Sequence, residues 1–348
     1  QPIFHIIGYS VPSASDNIGV QKQMLTVEQN ERLTRVGPGT PCGELMRRYW
    51  HPIAATSQMK DRYTMAIRIL GEDLVLYKDR SGTFGLVDAY CPHRRMGMIY
   101  GIAEEHGLRC PYHGWLFDET GRILEMPYEE TEDSETQFKN KVRIHAYRVH
   151  QQSGMIFVYM GPEPAPLFPQ WDLYSMQGVA REIGVAVLPC NWLQIQENSL
   201  DPVHVEWLHQ YLFNYVTERV DRTDLARPVL AHKRIGFDVS EYGIIKRRVV
   251  EGGSEEDEDW KVGHPIIFPN ILRNKAGIGK AGEGFQIRTP LDDTHTAHWW
   301  YYCYPQGPDD PQAQRDEDIP YYTVPVPQLD EKGEPRWELL LSAAGQDL

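Results

Sequence analysis

The chain has 348 residues, 41% hydrophobic and 24% charged, with a net charge of −14. That length suits two domains better than one core. The acidic balance argues against a nucleic-acid partner, which calls for a basic footprint, and no apolar run is long enough to cross a membrane.

In chain order, the opening QPIFHIIGYSVPSASDNIG lacks a basic stretch ahead of a long apolar one, so no signal peptide is expected. Met24 begins MLTVEQNERLTRVG as a natural start would, and residues 1–23 are expected to be an extension without a role. VEQNERL and CGELMRRYW have helical character, with a break at VGPGTP. From residue 64 the pattern turns to short strand-like runs: MAIRILG, EDLVLYKD, TFGLVDAY, then WLFDETGRILEMP, KVRIHAYRVHQQ and GMIFVYMG. These predict a small β domain over roughly residues 40–162, closed by the proline-rich boundary GPEPAPLFP. Beyond it, residues 191–212 form the best long helix candidate, interrupted by Pro202. FDVSEYGIIKRRVV, FQIRTPL and HTAHWWYYCYP predict an antiparallel sheet, and EGGSEEDED a solvated loop.

Five cysteines, Cys42, Cys91, Cys110, Cys190 and Cys303, are an odd number and argue against a disulfide scaffold. They place the chain in the cytoplasm, where clustered Cys and His point to a metal. Two knots, CPH at Cys91–His93 and CPYH at Cys110–His113, put four ligand-type residues in 23 positions. Thiolates suit soft metals and imidazole suits iron and zinc. A structural zinc site usually pairs two cysteines on one side and two histidines on the other. Alternation of Cys and His instead fits a [2Fe–2S] centre in which two histidines replace two cysteines on one iron, the Rieske arrangement. Prolines and Gly114 would let backbone amides approach the sulfurs.

A second constellation lies in NSLDPVHVEWLH, which holds Asn198, Asp201, His204 and His209. On a regular helix residues five apart are somewhat off one face, so a local distortion near Pro202 would be needed to bring the two histidines together. Two His and one carboxylate form the facial triad of non-haem iron(II) oxygenases.

CPH, a 16-residue gap and CPYHGW resemble the pattern of the Rieske ring-hydroxylating oxygenases. Asn198-x-x-Asp201-x-x-His204-x4-His209 resembles the same family's second motif. The resemblance implies Cys91 and Cys110 on one iron of the cluster and His93 and His113 on the other. It implies a mononuclear Fe(II) held by His204, His209 and Asp347, with Asp292, Asp293 and Glu338 as alternatives for the carboxylate. It gives Asp201, with Asn198 beside it, a catalytic part: the Asp201 carboxylate would bridge to a cluster histidine of a neighbouring subunit. The implied fold is α+β: an N-terminal Rieske β domain over residues 24–162 and a helix-grip-like catalytic domain with an antiparallel sheet over residues 163–348.

LTRVGPGTPCGELMRRYWHPIA and TPLDDTHTAHWWYYCYP look most like the phthalate dioxygenase branch, which also contains aromatic O-demethylases. The resemblance implies a terminal oxygenase assembled as trimers or stacked trimers. It uses O2, with electrons from NAD(P)H arriving through a separate reductase, directly or by way of a ferredoxin. No dinucleotide fingerprint is present in the sequence. The expected reaction is hydroxylation of an aromatic acid in the manner of phthalate dihydroxylation. The alternatives are O-demethylation of a methoxylated lignin-derived aromatic and, in a different class, a Rieske electron carrier without catalysis. An acid substrate calls for a cation: Arg247, or the pair Lys246 and Arg248, could face a pocket, since strand residues alternate. HPIIFPNIL offers an apolar wall or core, and Trp299, Trp300, Tyr301 and Tyr302 read as packing.

Overall fold

A computed structural model describes residues 24–128, 138–275, 282–307, 314–326 and 329–341. Residues 1–23 and Asp347 lie outside the described residues. Strands β1 (Trp50–Ala55), β2 (Thr64–Ile69), β3 (Glu72–Lys78), β4 (Phe84–Asp88), β5 (Ile102–Ala103), β6 (Leu108–Arg109), β7 (Leu116–Phe117), β8 (Ile123–Glu125), β9 (Ala146–Gln152) and β10 (Met155–Tyr159) build the N-terminal half. They form a six-stranded sheet, β1-β10-β9-β4-β3-β2, and a four-stranded one, β5-β6-β7-β8. The C-terminal half is one eight-stranded sheet. Its strands are β11 (Val179–Leu188), β12 (His232–Ser240), β13 (Gly243–Val250), β14 (His264–Ile267), β15 (Ile271–Lys275), β16 (Glu283–Pro290), β17 (Thr296–Pro305) and β18 (Tyr321–Thr323). Its order is β12-β13-β14-β15-β16-β17-β11-β18. All pairs are antiparallel except β18, which runs parallel to β11 at the edge.

The short helices follow their caps. Thr26 and Gln29 close a capping box on Val27–Thr34, and Thr40 with Pro41 starts Pro41–Met46. Asn191 caps Trp192–Leu200 by accepting the Leu193 amide at 3.0 Å. Its own amide reaches the carbonyls of Thr34 (3.0 Å) and Asp293 (2.8 Å). The Asp293 carboxylate in turn takes the Val36 amide and the Arg35 guanidinium, each at 2.8 Å. One node thus fixes the N-terminal helix, the turn after β16 and the start of the central helix.

The eight-stranded sheet carries two different faces. Ile183, Val185, Phe285, Ile287, Trp299, Tyr301 and Cys303 alternate along β11, β16 and β17 and pack against Ala55, Met155, Phe157 and Phe168. Each large apolar side chain buried there contributes about 2 kcal/mol, which holds the halves together. The other face looks toward Trp192–Leu200, whose Ile195 packs with Trp300 and Tyr302.

His51, fully buried on β1, bridges the halves. Its Nε2–H donates to the Met46 carbonyl at 2.8 Å, while Nδ1 accepts from Asn270 at 3.2 Å. Burial pushes its pKa down from 6.5 to about 4, and the Arg47 charge adds to the fall. As pH drops through 6.5 the unfolded chain takes this proton and the folded chain does not. Stability is therefore complete above pH 6.5 and declines toward pH 4, by on the order of 3 kcal/mol from this residue. Thermal unfolding of wild type and His51→Gln across that range checks this: the variant should show the shallower decline, and equal slopes would place the effect elsewhere.

Candidate metal centres

Cys91 and Cys110 open two loops built alike. The Cys91 amide donates to the Met96 carbonyl and the Cys110 amide to the Trp115 carbonyl, both at 2.8 Å. The Arg95 and Gly114 amides return to the carbonyls of Cys91 (3.0 Å) and Cys110 (3.1 Å). The fifth residue of each loop is left-handed, Arg95 at φ 59° and Gly114 at φ 78°. Glycine takes that conformation freely, whereas a side chain strains it by about 1–2 kcal/mol. The Arg95 guanidinium, 4.7 Å above the Tyr90 ring, offsets part of that strain. Arg109 buttresses the second loop by donating to the Gly114 carbonyl at 2.6 Å, itself clamped by Glu104 and Glu125.

Both cysteines sit in a core with Val75, Val87, Leu108 and Phe117. Burial pushes the Cys91 thiol up to about 11, and the adjoining Cys110 adds to the rise. The backbone amides of His93 and Arg94 act against it, being aimed at the sulfur. The imidazoles lie toward the surface. His93 and His113 are 4.5 Å apart, and His93 stacks on Trp115 at 4.6 Å and 6°. His93 Nδ1 is buried without a hydrogen-bond partner. Two adjoining thiols inside, two imidazoles outside and an orphaned ring nitrogen fit the donor set of a Rieske cluster. Trp115 is the residue the motif spelled without a role; its ring orients His93.

Residues 191–212 are not one helix. Trp192–Leu200 ends at Asp201, Pro202 breaks the path, and His204–Glu206 leads into a π-helical turn, Trp207–Leu212. In an α-helix residues five apart point about 140° from each other. The π turn, with its i→i+5 bonding, widens the coil and brings the His204 and His209 rings to 5.2 Å. The convergence therefore comes from the π turn, not from a bend at Pro202 alone. Burial, aided by the charges of His209 and Lys246, holds His204 neutral with a pKa of about 4. Its buried Nδ1 has no hydrogen bond and lies 3.8 Å from Asp201 Oδ2. A neutral ring can bind a metal through one nitrogen while a carboxylate beside the other, here Nδ1, takes its proton.

The Asp201 carboxylate is half exposed and takes the Val203 amide at 2.8 Å. Asn198 faces outward, and its carbonyl accepts the Asp201 amide at 3.1 Å. Asp292 is bound by Thr294 and Arg68, Asp293 serves the node described above, and Glu338 pairs with Arg336. Among the described residues, no three His, Cys, Asp or Glu side chains converge on one point. A Rieske centre needs only two protein ligands per iron, and the second constellation supplies two imidazoles.

The cation candidates separate cleanly. Arg247 is tied down by Asp238 and by the carbonyls of Trp260 and Lys261. Arg248 is held by Asp259 at 2.9 Å, so the acidic loop is partly a structural partner. Lys246 is 5% exposed.

Residues 49–147 match the Rieske [2Fe-2S] domain family. The 5,5'-dehydrodivanillate O-demethylase oxygenase subunit of a Sphingobium species is 43% identical over 304 residues, 87% of this chain and 68% of that protein. The chain belongs to the Rieske oxygenases. The phthalate 4,5-dioxygenase oxygenase subunit of Pseudomonas putida is 35% identical, over 80% of this chain and 64% of that protein. The chain thus spans about two thirds of the length of these curated relatives. In fold, this Rieske oxygenase is similar to dicamba monooxygenase bound to 3,6-dichlorosalicylic acid, with TM-score 0.57, 18% identity, and coverage of 76% of this chain and 80% of that one. Among the described residues no helix is long and apolar enough to cross a membrane.

Proposed function

We propose that this chain is the terminal oxygenase of a multicomponent system and that it oxidises an aromatic acid. Cys91 and Cys110 would hold one iron of the cluster, and His93 and His113 the other. His204, His209 and Asp347 would hold the mononuclear iron. When bound, the cluster passes single electrons and the mononuclear iron activates dioxygen. The chain's own residues do the rest. The loop amides and Arg109 fix the cysteines and Gly114. The π turn sets the two imidazoles side by side. Asp201, beside His204 Nδ1, can hold that ring's proton and orientation.

The observation that carries this reading is the His204–His209 pair on a π turn in a chain that already has the two Cys–His loops. A Rieske electron carrier needs no second histidine pair and no eight-stranded domain. The domain division at about residue 162 follows from the same reading. Of the two reactions, O-demethylation is favoured over phthalate-type dihydroxylation. The relative named for demethylation is 43% identical and the one named for phthalate 35%. Several of the relatives' names carry a carboxylate: dehydrodivanillate, phthalate, phenoxybenzoate and chlorobenzoate. Relatives named for tert-butanol and for 4β-methylsterol do not. Incubation with a reductase, NADH and a panel of phthalates and methoxybenzoates tests the reading by product mass. Loss of a methyl group supports demethylation, gain of two hydroxyls supports dihydroxylation, and no oxidised product from any aromatic would remove the proposal.

Electron delivery is proposed to cross between subunits of a ring through Asp201. Tyr90, Tyr100 and Tyr112 stand exposed near the cluster loops, while Val203, Trp207 and Tyr211 stand exposed around Asp201. Two such surfaces suit a head-to-tail contact, which closes into a cyclic oligomer. Asp201→Asn keeps size but removes the charge. It should leave both metals bound and slow single-turnover electron transfer about 10- to 100-fold. Wild-type transfer rates, or a strictly monomeric active protein, would end the intersubunit route.

A further inference from the structure

The helix-side face of the eight-stranded sheet is buried and unusually polar. Cross-strand pairing places Lys246 opposite His264, and Arg288 opposite His298, so all four share that face with Gln286. Lys246, Arg288 and His298 are 5%, 1% and 1% exposed. From the helix above, Gln196 and Ser199 are equally buried. Both amide atoms of Gln196, the Ser199 hydroxyl and both ring nitrogens of His298 lack hydrogen-bond partners among the described residues. Groups so buried are ordinarily satisfied. These facing orphans bound a polar layer, the chamber, whose hydrogen-bonding capacity the described residues leave unfilled.

Lys246 is the charge at one end of this layer. Burying an ammonium is costly unless it is paired. Yet among the described residues no carboxylate lies within salt-bridge distance of its nitrogen. The two carboxylates that act on it from a distance are Asp201 and Asp259. Asp201 is occupied by the Val203 amide, Asp259 by Arg248 and His264. The helical segment that carries His204 is tied to the same part of the sheet: the Glu206 carboxylate takes the His232 amide at 3.0 Å, and His232 pairs with Val250 on the strand of Lys246. The partner it lacks therefore belongs between this sheet and the helical segment.

We propose that Lys246 is the counter-ion for the carboxylate of the aromatic substrate, which binds between the sheet and the helical segment with its ring beside His204 and His209. This rests on the oxygenase reading above and deepens it, since it names the residue that selects acids. Gln196 and Ser199, neutral groups on the helix above, then meet the hydroxyl or ether oxygens of the same molecule.

The test is equilibrium binding to the holoprotein, without reductase, of phthalate, vanillate and 5,5'-dehydrodivanillate against their neutral amides. Wild type should prefer at least one acid to its amide by about 10- to 100-fold, the span of a charge-assisted contact. Lys246→Met and Lys246→Gln should lose that preference and leave amide binding within about threefold, while Lys246→Arg should keep most of it. The cluster's visible spectrum checks that each variant is folded. Unchanged acid binding in both neutral variants overturns the proposal. So does an equal loss for acid and amide, or a wild type that binds none of the acids or shows no preference. Failure of the oxygenase reading is distinct: it appears as absent turnover with reductase, whatever the binding preference.

Discussion

Cys91→Ser is expected to abolish the red-brown colour and the EPR signal of the reduced cluster. Cys91 is 1% exposed, inside an apolar core, with two backbone amides aimed at its sulfur. A serine hydroxyl is a harder ligand that ionises far less readily, so it replaces neither the soft donor nor its charge. Since each iron of a Rieske centre has only two protein ligands, losing one leaves half a socket. Cys42→Ser is the matching control. Cys42 is also buried, at 6%, but in the separate core with Val36 and Met46, and its spectrum should match wild type. An unchanged visible and EPR spectrum for Cys91→Ser would refute the cluster assignment.

His204→Ala should reduce oxygenation by at least about 100-fold while leaving the Rieske spectrum intact. Loss of an outer group that only orients a ligand costs 10- to 100-fold, so loss of a ligand itself costs no less. His204 serves the π-turn pair with a ring that is neutral, buried and short of one partner, and alanine at that position removes that ring. The two halves of the result separate the sites: colour reports the loops at Cys91 and Cys110, turnover reports the helical segment. Turnover at the wild-type rate in this variant would remove His204 from the iron site.

The two Cys–His loops were legible in the sequence because their chemistry is local. Each loop needs its cysteine, proline and histidine within four residues, and the pattern is spelled out in order. Most strands of both halves were legible for a similar reason, alternation and turn residues being short-range signals, but β1, β11, β14 and β15 were not read as strands. The π turn was not. Apolar spacing in WLHQYL suits an α-helix as well, and the choice rests on which carbonyl each amide reaches. The parallel edge strand Tyr321–Thr323 was illegible too, being three residues long and paired only through tertiary contact. Lys246 marks an intermediate case. Alternation in KRR separates Lys246 and Arg248 from Arg247, but the phase that turns inward is set by β14 and the helix above, both remote in sequence. Trp115 could have been suspected, since an aromatic directly after a ligand loop often packs on it.

The two-faced sheet has a consequence for how this chain can change. Residues on one face of β16 and β17 glue the halves together, while their immediate neighbours on the same strands line the chamber. Adhesion and selectivity thus occupy odd and even positions of a single ribbon. Substitutions at 286, 288 and 298 can diversify what the chamber accepts without touching the seam at 285, 287 and 299. A lineage, or a library, can wander through substrates along one set of positions while the other keeps the scaffold standing.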